Sequence, residues 1–152
     1  MKPDYKKMLA ECPLPAALEV LGERWSFLIL RGVFNGIHHF EDLQSTLNIA
    51  RNILSNRLGR LVAQEILERK PDPADRRKVS YQLTEKGRAL LPAVLAMRQW
   101  AERWISGTPG NPVLVDSKNY RPVALVQVYA EDGRPLDVHE LKWVDRGEVL
   151  PA

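Results

Sequence analysis

Three features of the sequence predict a mainly α-helical protein that carries a small β-wing. The first is a helical pattern over residues 51–64, apolar on one side and rich in Arg, Asn and Ser on the other. The second is a shorter amphipathic pattern just before it, over residues 40–47. The third is a pair of short alternating segments, residues 67–70 and 79–83, joined by a loop rich in proline, aspartate and basic residues. This order is typical of a winged helix-turn-helix.

The composition indicates one globular domain with a short appendage. The chain has 152 residues, of which 45% are hydrophobic and 27% charged. No apolar run approaches the ~20 residues that span a bilayer, and no apolar segment follows the N-terminal lysines as in a secretory signal. Cys12 is the single cysteine, so an internal disulfide is excluded and a reducing compartment fits. We therefore expect a cytoplasmic protein that does not associate with membranes.

Two helices are predicted before the helix-turn-helix. Residues 13–21 form a short helix that Gly22 closes as its C-terminal cap. Residues 25–34 form the second, and Asn35-Gly36 ends it. Its predicted core-facing side chains are Trp25, Leu28, Ile29 and Val33.

The helix-turn-helix itself is predicted from residues 40–47 and 51–64. The first segment turns Phe40, Leu43 and Leu47 inward. The predicted core-facing side chains of the second are Ile53, Leu54, Leu58, Leu61 and Val62.

The polar face of residues 51–64 is the candidate DNA-reading surface. An ordinary solvated face would mix Glu with Lys, whereas Arg and Asn can make bidentate contacts to base edges, worth about 1–3 kcal/mol each. The candidates are Arg51, Asn52, Ser55, Asn56, Arg57 and Arg60. We expect the Asn and Ser side chains near bases and the arginines divided between bases and backbone. Arg57 lies beside the apolar stripe, and a structural ion pair is its alternative role.

The loop of the predicted wing supplies a second group of DNA-contact candidates, Arg76, Arg77 and Lys78, for phosphate or the minor groove. The alternative is a solvated loop tip whose cations pair with Asp72 and Asp75. Charge favours the first interpretation, because the net charge is −1 over residues 1–50, +6 over 51–105 and −2 over 106–152. Such an excess attracts polyanions.

The C-terminal third is predicted to hold a long helix, a linker and a hairpin. Thr84 caps a helix over residues 84–105, which Pro92 should kink. Its apolar stripe is too wide for one small core and suggests packing on a second subunit. Residues 106–112 are a linker, and residues 113–150 an appendage with a β-hairpin that turns at Glu131-Asp132-Gly133.

The motifs resemble those of the HxlR family of bacterial transcriptional regulators. The motif residues are Cys12-Pro13 and those of segments 22–31, 40–44, 75–87 and 90–92. The resemblance covers residues 12–105 and implies a winged helix-turn-helix homodimer, built through its terminal helices, that binds double-stranded operator DNA. Many relatives have Ser or Thr as the N-cap of the recognition helix, where this chain has Ala50, so we expect either Asn48 as the cap or a looser helix start. Relatives usually have glycine just before the first wing strand, where this chain has Gln64-Glu65, so we expect a different turn there. The C-terminal extension lacks the cysteine pairs of some relatives, so we expect no metal or other cofactor.

Two small clusters have competing interpretations. Cys12 precedes a predicted helix start, where the helix dipole favours a thiolate, and in some family members a cysteine at this place senses oxidants or electrophiles. The alternative is a small, half-buried apolar side chain. His38 and His39 lack the further ligands of a tetrahedral metal site, so we expect them in a turn, with His39 as a helix cap.

The predicted function is sequence-specific DNA binding that regulates transcription, as a repressor on a pseudo-palindromic operator. One alternative is a thiol-based redox or electrophile sensor acting through Cys12. The other is a protein-interaction adaptor that retains the winged-helix scaffold. No phosphate loop, nucleophile elbow or paired-carboxylate motif is present, so we do not expect an enzyme. Trp25, Trp100 and Trp104 are expected as core or dimer anchors, with the lining of an effector pocket as their alternative.

Overall fold

The computed structural model describes residues 4–151, and the chain forms two compact units, Met1–Val94 and Leu95–Ala152. The first unit contains helices α1 to α6, the two wing strands and the start of α7. The helices are α1 (Tyr5–Ala10), α2 (Leu14–Leu21), α3 (Arg24–Phe34), α4 (Phe40–Leu47), α5 (Arg51–Ala63), α6 (Glu85–Arg88) and α7 (Leu91–Ala101). The strands are β1 (Leu67–Pro71) and β2 (Val79–Leu83). Within residues 4–151, no helix is both long and apolar enough to cross a bilayer.

The core of the first unit forms where α3, α4 and α5 pack around the base of the wing. Its fully buried apolar side chains include Ile29, Leu30, Val33, Leu43, Leu54, Leu58, Leu61 and Leu67. Two side chains that the periodicity assigned to the core are instead exposed, Leu28 at 36% and Ile53 at 37%. Each lies about 100° around its helix from the nearest buried residue of the stripe, Ile29 and Leu54 respectively.

The helix-turn-helix is formed by α4 and α5, as predicted. Asn48 ends α4 in the left-handed conformation with φ 49°, which asparagine tolerates well. It therefore does not cap α5. Ala50 occupies the N-cap of α5 and makes no side-chain hydrogen bond.

The turn that joins α5 to β1 contains a residue in the left-handed backbone conformation, so the prediction of a different turn is wrong. Glu65 has φ 56°. Its amide donates to the Val62 carbonyl and that of Ile66 donates to the Leu61 carbonyl, each at 2.9 Å, which is the Schellman pattern. The Schellman turn, which usually has glycine at its left-handed position, forms here with Glu65 at that position.

The wing is a two-stranded antiparallel hairpin with Leu67 opposite Leu83 and Arg69 opposite Tyr81. The predicted positions of both strands are confirmed, except that Pro71 ends β1 instead of beginning the loop. Proline is acceptable there because it lies at the last pair of the ladder, where no further donor is needed.

The helix after the wing is broken, not kinked as predicted. Thr84 caps the short helix α6 by accepting from the Gly87 amide at 3.0 Å, and α7 begins anew at Leu91. Pro92 thus lies in the first turn of α7, where its missing amide proton costs nothing. Gly87 is required because a Cβ would lie 2.2 Å from the Ile66 carbonyl oxygen.

The second unit has little internal packing: no residue between 95 and 151 is buried. Gln99 of α7 links to the later segment, since its side chain donates to the Ala124 carbonyl at 3.1 Å and accepts from the Val126 amide at 2.8 Å. The turn at 131–133 is present, and beside it the Ala130 amide donates to the Arg134 carbonyl at 2.8 Å and the Leu136 amide to the Val128 carbonyl at 2.9 Å. Over residues 113–151 the pairing is limited to two isolated bridges, Val115 to Pro122 and Tyr129 to Pro135, so the predicted hairpin is reduced to a short bridged turn.

Candidate nucleic-acid interface

The polar face of α5 is presented to solvent. Arg51, Asn52, Ser55, Asn56 and Arg60 are all exposed. Within the described chain, the two asparagines and Ser55 make no side-chain hydrogen bond. Their donors and acceptors are therefore available to an external partner. Leu54, Leu58 and Leu61 are buried and fix the opposite side of the helix to the core, so this face stays turned to solvent.

Arg57 differs from the other candidates on α5, since it adopts the structural role considered as its alternative. Its Nε lies 3.4 Å from Oε1 of Glu23, and this Nε is buried without an aligned hydrogen bond. Partial burial pushes the pKa of Glu23 upward, but hydrogen bonds from Ser26 and Trp25 and the Arg57 charge outweigh it, so this pKa is lowered. Arg57 thus ties α5 to the start of α3.

The two terminal arginines of the polar face are partly positioned by the protein. The Arg51 guanidinium lies over the Phe40 ring, 4.8 Å from its centre. Arg60 Nη2 donates to the Glu19 carbonyl at 3.3 Å. Both retain unused donors, because a guanidinium has five N–H groups in a fixed fork.

The wing tip, residues 72–78, is ordered by its own aspartates. Asp72 accepts from the Ala74 and Asp75 amides at 2.7 and 3.0 Å, and these bonds lower its pKa. Asp75 accepts from Nε and Nη2 of Arg77 at 3.0 and 3.1 Å, which lowers the pKa of that carboxyl. The aspartate pairing considered as the alternative is therefore present for Arg77, although its side chain stays 91% exposed. Arg76 and Lys78 are exposed, and within residues 4–151 they form no ion pair.

The two histidines join the wing to the helix-turn-helix, which sequence reasoning missed. The backbone carbonyl of His38 accepts from the Tyr81 amide at 2.8 Å, and its Nδ1 lies 3.1 Å from the Tyr81 carbonyl. Nδ1 of His39 lies 3.1 Å from the Val79 carbonyl, and its Nε2 lies 2.8 Å from Asp72 Oδ2. His39 is the N-cap residue of α4 but makes no side-chain capping bond, so the predicted capping contact is wrong. These partners lie some forty residues apart, and no local pattern reports them.

A cleft of about 650 Å³ opens between the start of α4, the start of α5 and the wing. It is lined by His39, Phe40, Glu41, Asp42, Arg51, Arg69, Lys78, Val79 and Tyr81. Arg69 was not among the predicted contact residues, because a single arginine in a short strand carries no sequence signal. Its guanidinium lies 5.9 Å from the centre of the Tyr81 ring.

The thiol and metal predictions concern residues away from this face. Cys12 is half-buried just before α2 and is not in a disulfide. Within residues 4–151, no cluster of three or more His, Cys, Asp or Glu side chains is placed to hold a metal ion.

Sequence comparison relates the chain to bacterial regulators. The profile of a family described as HxlR-like helix-turn-helix matches residues 20–109. Rv3095 of Mycobacterium tuberculosis, an uncharacterised HTH-type transcriptional regulator, is 40% identical over 97 residues, which make up 64% of this chain and 61% of Rv3095. The match thus spans less than two thirds of that relative. The HTH-type transcriptional regulator YodB of Bacillus subtilis is 36% identical over 109 residues, 70% of this chain and 96% of YodB.

Comparison with solved structures also finds transcriptional regulators. PA1607, provisionally described as a transcription factor, has a TM-score of 0.81 at 38% identity and covers 90% of this chain and 96% of PA1607. The reduced form of YodB has a TM-score of 0.54 at 34% identity, covering 64% of this chain and 98% of YodB. A quinone-bound form of YodB has a TM-score of 0.52 at 33% identity and covers 61% of this chain and 99% of YodB.

Proposed function

The chain belongs to the HxlR-like helix-turn-helix family of transcriptional regulators, and we propose that it represses transcription by binding a specific operator as a homodimer. The observation that carries this proposal is the polar face of α5. It presents two asparagines and a serine that make no side-chain hydrogen bond within residues 4–151, on a helix whose other side is fixed to the core. Asn side chains read adenine edges bidentately in the major groove.

The remaining cations are proposed to hold the DNA backbone. Arg51 and Arg60 flank the asparagines on α5, and Arg76, Arg77 and Lys78 lie on the wing tip. Their contribution is expected to be independent of sequence, because phosphates carry no base information. Arg57 is left out of the proposed contact set because Glu23 holds it.

The reading role is tested by removing one asparagine amide. Asn56→Ala should weaken binding to the cognate operator by about 5- to 150-fold, the equivalent of ~1–3 kcal/mol for one base contact. Non-specific binding should change little. Gln64→Ala is the matched control, since it removes an exposed amide at the C-cap of the same helix. Fluorescence anisotropy on DNA selected from random sequence measures both. Equal effects of the two variants would contradict the assignment.

The wing-tip role is tested by Arg77→Gln. This variant should weaken binding to all DNA sequences alike and flatten the salt dependence, because one fewer phosphate is neutralised. An unchanged slope would show that Arg77 serves only Asp75.

The homodimer is proposed to form through α7 and the second unit. Helix α7 has no buried residue in this chain. Met97, Trp100, Trp104 and Ile105 are 55%, 58%, 65% and 72% exposed along α7 and the π-helical turn Glu102–Ser106 that follows it. Such a continuous apolar stripe marks an interaction surface in soluble proteins. Trp100 and Trp104 are therefore proposed as dimer anchors, while half-buried Trp25 packs on the core.

A second candidate function is thiol-based sensing through Cys12. It is favoured by the relation to YodB, which is known in reduced and quinone-bound forms. Treating the reduced protein with a quinone should abolish operator binding if Cys12 is the sensor, and Cys12→Ser should remain bound. Binding that survives treatment would remove the sensor role. Failure to bind DNA in either state would favour the adaptor.

A further inference from the structure

The cleft beside α5 has two walls with the same chemistry. On one wall Arg51 lies over Phe40, and on the other Arg69 lies over Tyr81, at 4.8 and 5.9 Å from the ring centres. Stacking on a ring holds a guanidinium in place while leaving the donors at its edge free. Within the described residues, neither arginine has a carboxylate partner within 4.0 Å or a side-chain hydrogen bond. The cleft thus contains two positioned forks without a protein acceptor.

The two walls are held together by contacts that do not involve the arginines. Tyr81 is only 9% exposed, and its backbone pairs with His38, immediately before the His39-Phe40 start of α4. The distance between the arginine supports is therefore set by the folded first unit. A site with fixed donors loses little conformational entropy when it binds.

The charge of the cleft favours an anion brought in by a larger ligand. Arg51, Arg69 and Lys78 face the cleft, but so do Glu41 and Asp42 in the first turn of α4. Cations exceed carboxylates by one, so a small free anion gains little net attraction. A phosphate that is part of DNA already held by neighbouring contacts needs only local donors, and fork-shaped donors match its oxygens.

The geometry of DNA places a backbone strand at this position. Adjacent major and minor grooves are separated by one sugar-phosphate strand. If the polar face of α5 enters the major groove and the wing tip reaches the neighbouring minor groove, that strand must pass between them, where the cleft lies. Resting on the proposed function, we propose that the Arg51–Arg69 cleft grips a phosphodiester of this strand and that Arg69 is a DNA-backbone contact.

The experiment compares Arg69→Gln with Lys70→Gln. Lys70 adjoins Arg69 on β1, points to the other face of the strand and pairs with Glu68 at 2.6 Å. Both variants remove one positive charge from the same strand. We expect Arg69→Gln to lower the affinity for every DNA sequence by a common factor and to reduce the slope of log K against log salt by about 0.9. Lys70→Gln should retain the slope of the unmodified protein.

A phosphate scan locates the contact. Single neutral methylphosphonate linkages are introduced in turn along the bound DNA, and affinity is measured for the unmodified protein, for Arg69→Gln and for Lys70→Gln. One position should weaken the unmodified protein clearly more than Arg69→Gln, because in the variant only Arg51 remains to contact that phosphate. Arg69→Lys should retain the salt slope of the unmodified protein but bind with lower affinity than it, because lysine keeps the charge and loses the fork. This variant replaces Arg69→Gln in the test if Arg69→Gln folds poorly.

The outcomes separate this inference from the function on which it rests. If the unmodified protein binds no DNA, both fail. If it binds and discriminates sequences, but Arg69→Gln matches Lys70→Gln in slope and in the phosphate scan, only the backbone contact is overturned. A change in sequence preference at Arg69→Gln would also overturn it, since it would indicate a base contact.

Discussion

At the scale of single residues, Glu65 adopts a left-handed backbone conformation that is unfavourable for a residue with a side chain. It completes the Schellman turn after α5 with φ 56°, where a residue other than glycine is strained by roughly 1–2 kcal/mol. The turn persists because the buried side chains on either side, Leu61 and Ile66, fix where the chain must reverse.

Replacing this residue should therefore stabilise the protein. Glu65→Gly is expected to raise the free energy of unfolding by about 1 kcal/mol, the relieved strain less the added flexibility of the unfolded chain. Urea unfolding followed by far-UV circular dichroism measures it. The control is Gln64→Gly, at φ −87°, which should destabilise. A loss of stability in Glu65→Gly would show that its side chain makes a stronger contribution than the strain.

At the scale of elements, Thr84 joins the turn after α5 to the end of the wing. Its hydroxyl donates to the Glu65 carbonyl at 2.6 Å and accepts from the Gly87 amide at 3.0 Å. The same residue thus caps α6 and holds the α5–β1 turn against the wing.

Thr84→Val should remove both bonds with little change in shape. We expect a loss of about 1–2 kcal/mol in the free energy of unfolding. Thr84→Ser, which keeps the hydroxyl, should recover most of it. An unchanged free energy of unfolding in Thr84→Val would contradict this role of the hydroxyl. Equilibrium unfolding of the three proteins at one concentration provides the comparison.

The link between α3 and α5 should depend on pH through Glu23. This carboxylate caps α3 through the Trp25 and Ser26 amides and faces Arg57. Its pKa in the folded protein is lowered from the ordinary value of 4.5. A depressed pKa contributes stability above the unfolded value, and this contribution is lost as the pH falls through the folded value.

Glu23→Gln should therefore flatten the acid side of the stability curve. The unmodified protein is expected to lose stability as the pH falls below about 4.5, the ordinary glutamate value, and the variant should lose less over the same range. Thermal unfolding between neutral and acidic pH gives the two curves. Parallel curves would place the acid sensitivity in other carboxylates, of which Asp72 and Asp75 on the wing tip also have lowered pKa values.

At the scale of the whole molecule, the proposed dimer makes stability depend on concentration. The second unit contains no buried residue between 95 and 151, so the proposed partner subunit is expected to supply most of its stabilising burial. Unfolding midpoints should rise with protein concentration by mass action. Light scattering should give twice the chain mass of 17.3 kDa. Trp100→Glu should reduce both effects, and a concentration-independent monomer would refute the dimer.

The sequence by itself determined the local elements and the chemistry of the exposed face. The period of apolar residues predicts α4, α5 and the wing because secondary structure repeats within a few residues. The same periodicity predicts that the Asn and Arg side chains of α5 lie on the face opposite its apolar side chains. The resemblance of separate motifs identified the family, which the match over residues 20–109 confirms.

Only the tertiary structure decided which charged groups remain free. Arg57 faces Glu23, His39 faces Asp72, and Arg69 stacks on Tyr81 of the neighbouring wing strand. The Arg57–Glu23 and His39–Asp72 contacts join residues more than thirty positions apart, and Arg69 and Tyr81 lie on the two paired strands of the wing. Periodicity fixes the side of an element on which a residue lies. Its partner depends on how distant elements pack, and that is set by the shared core.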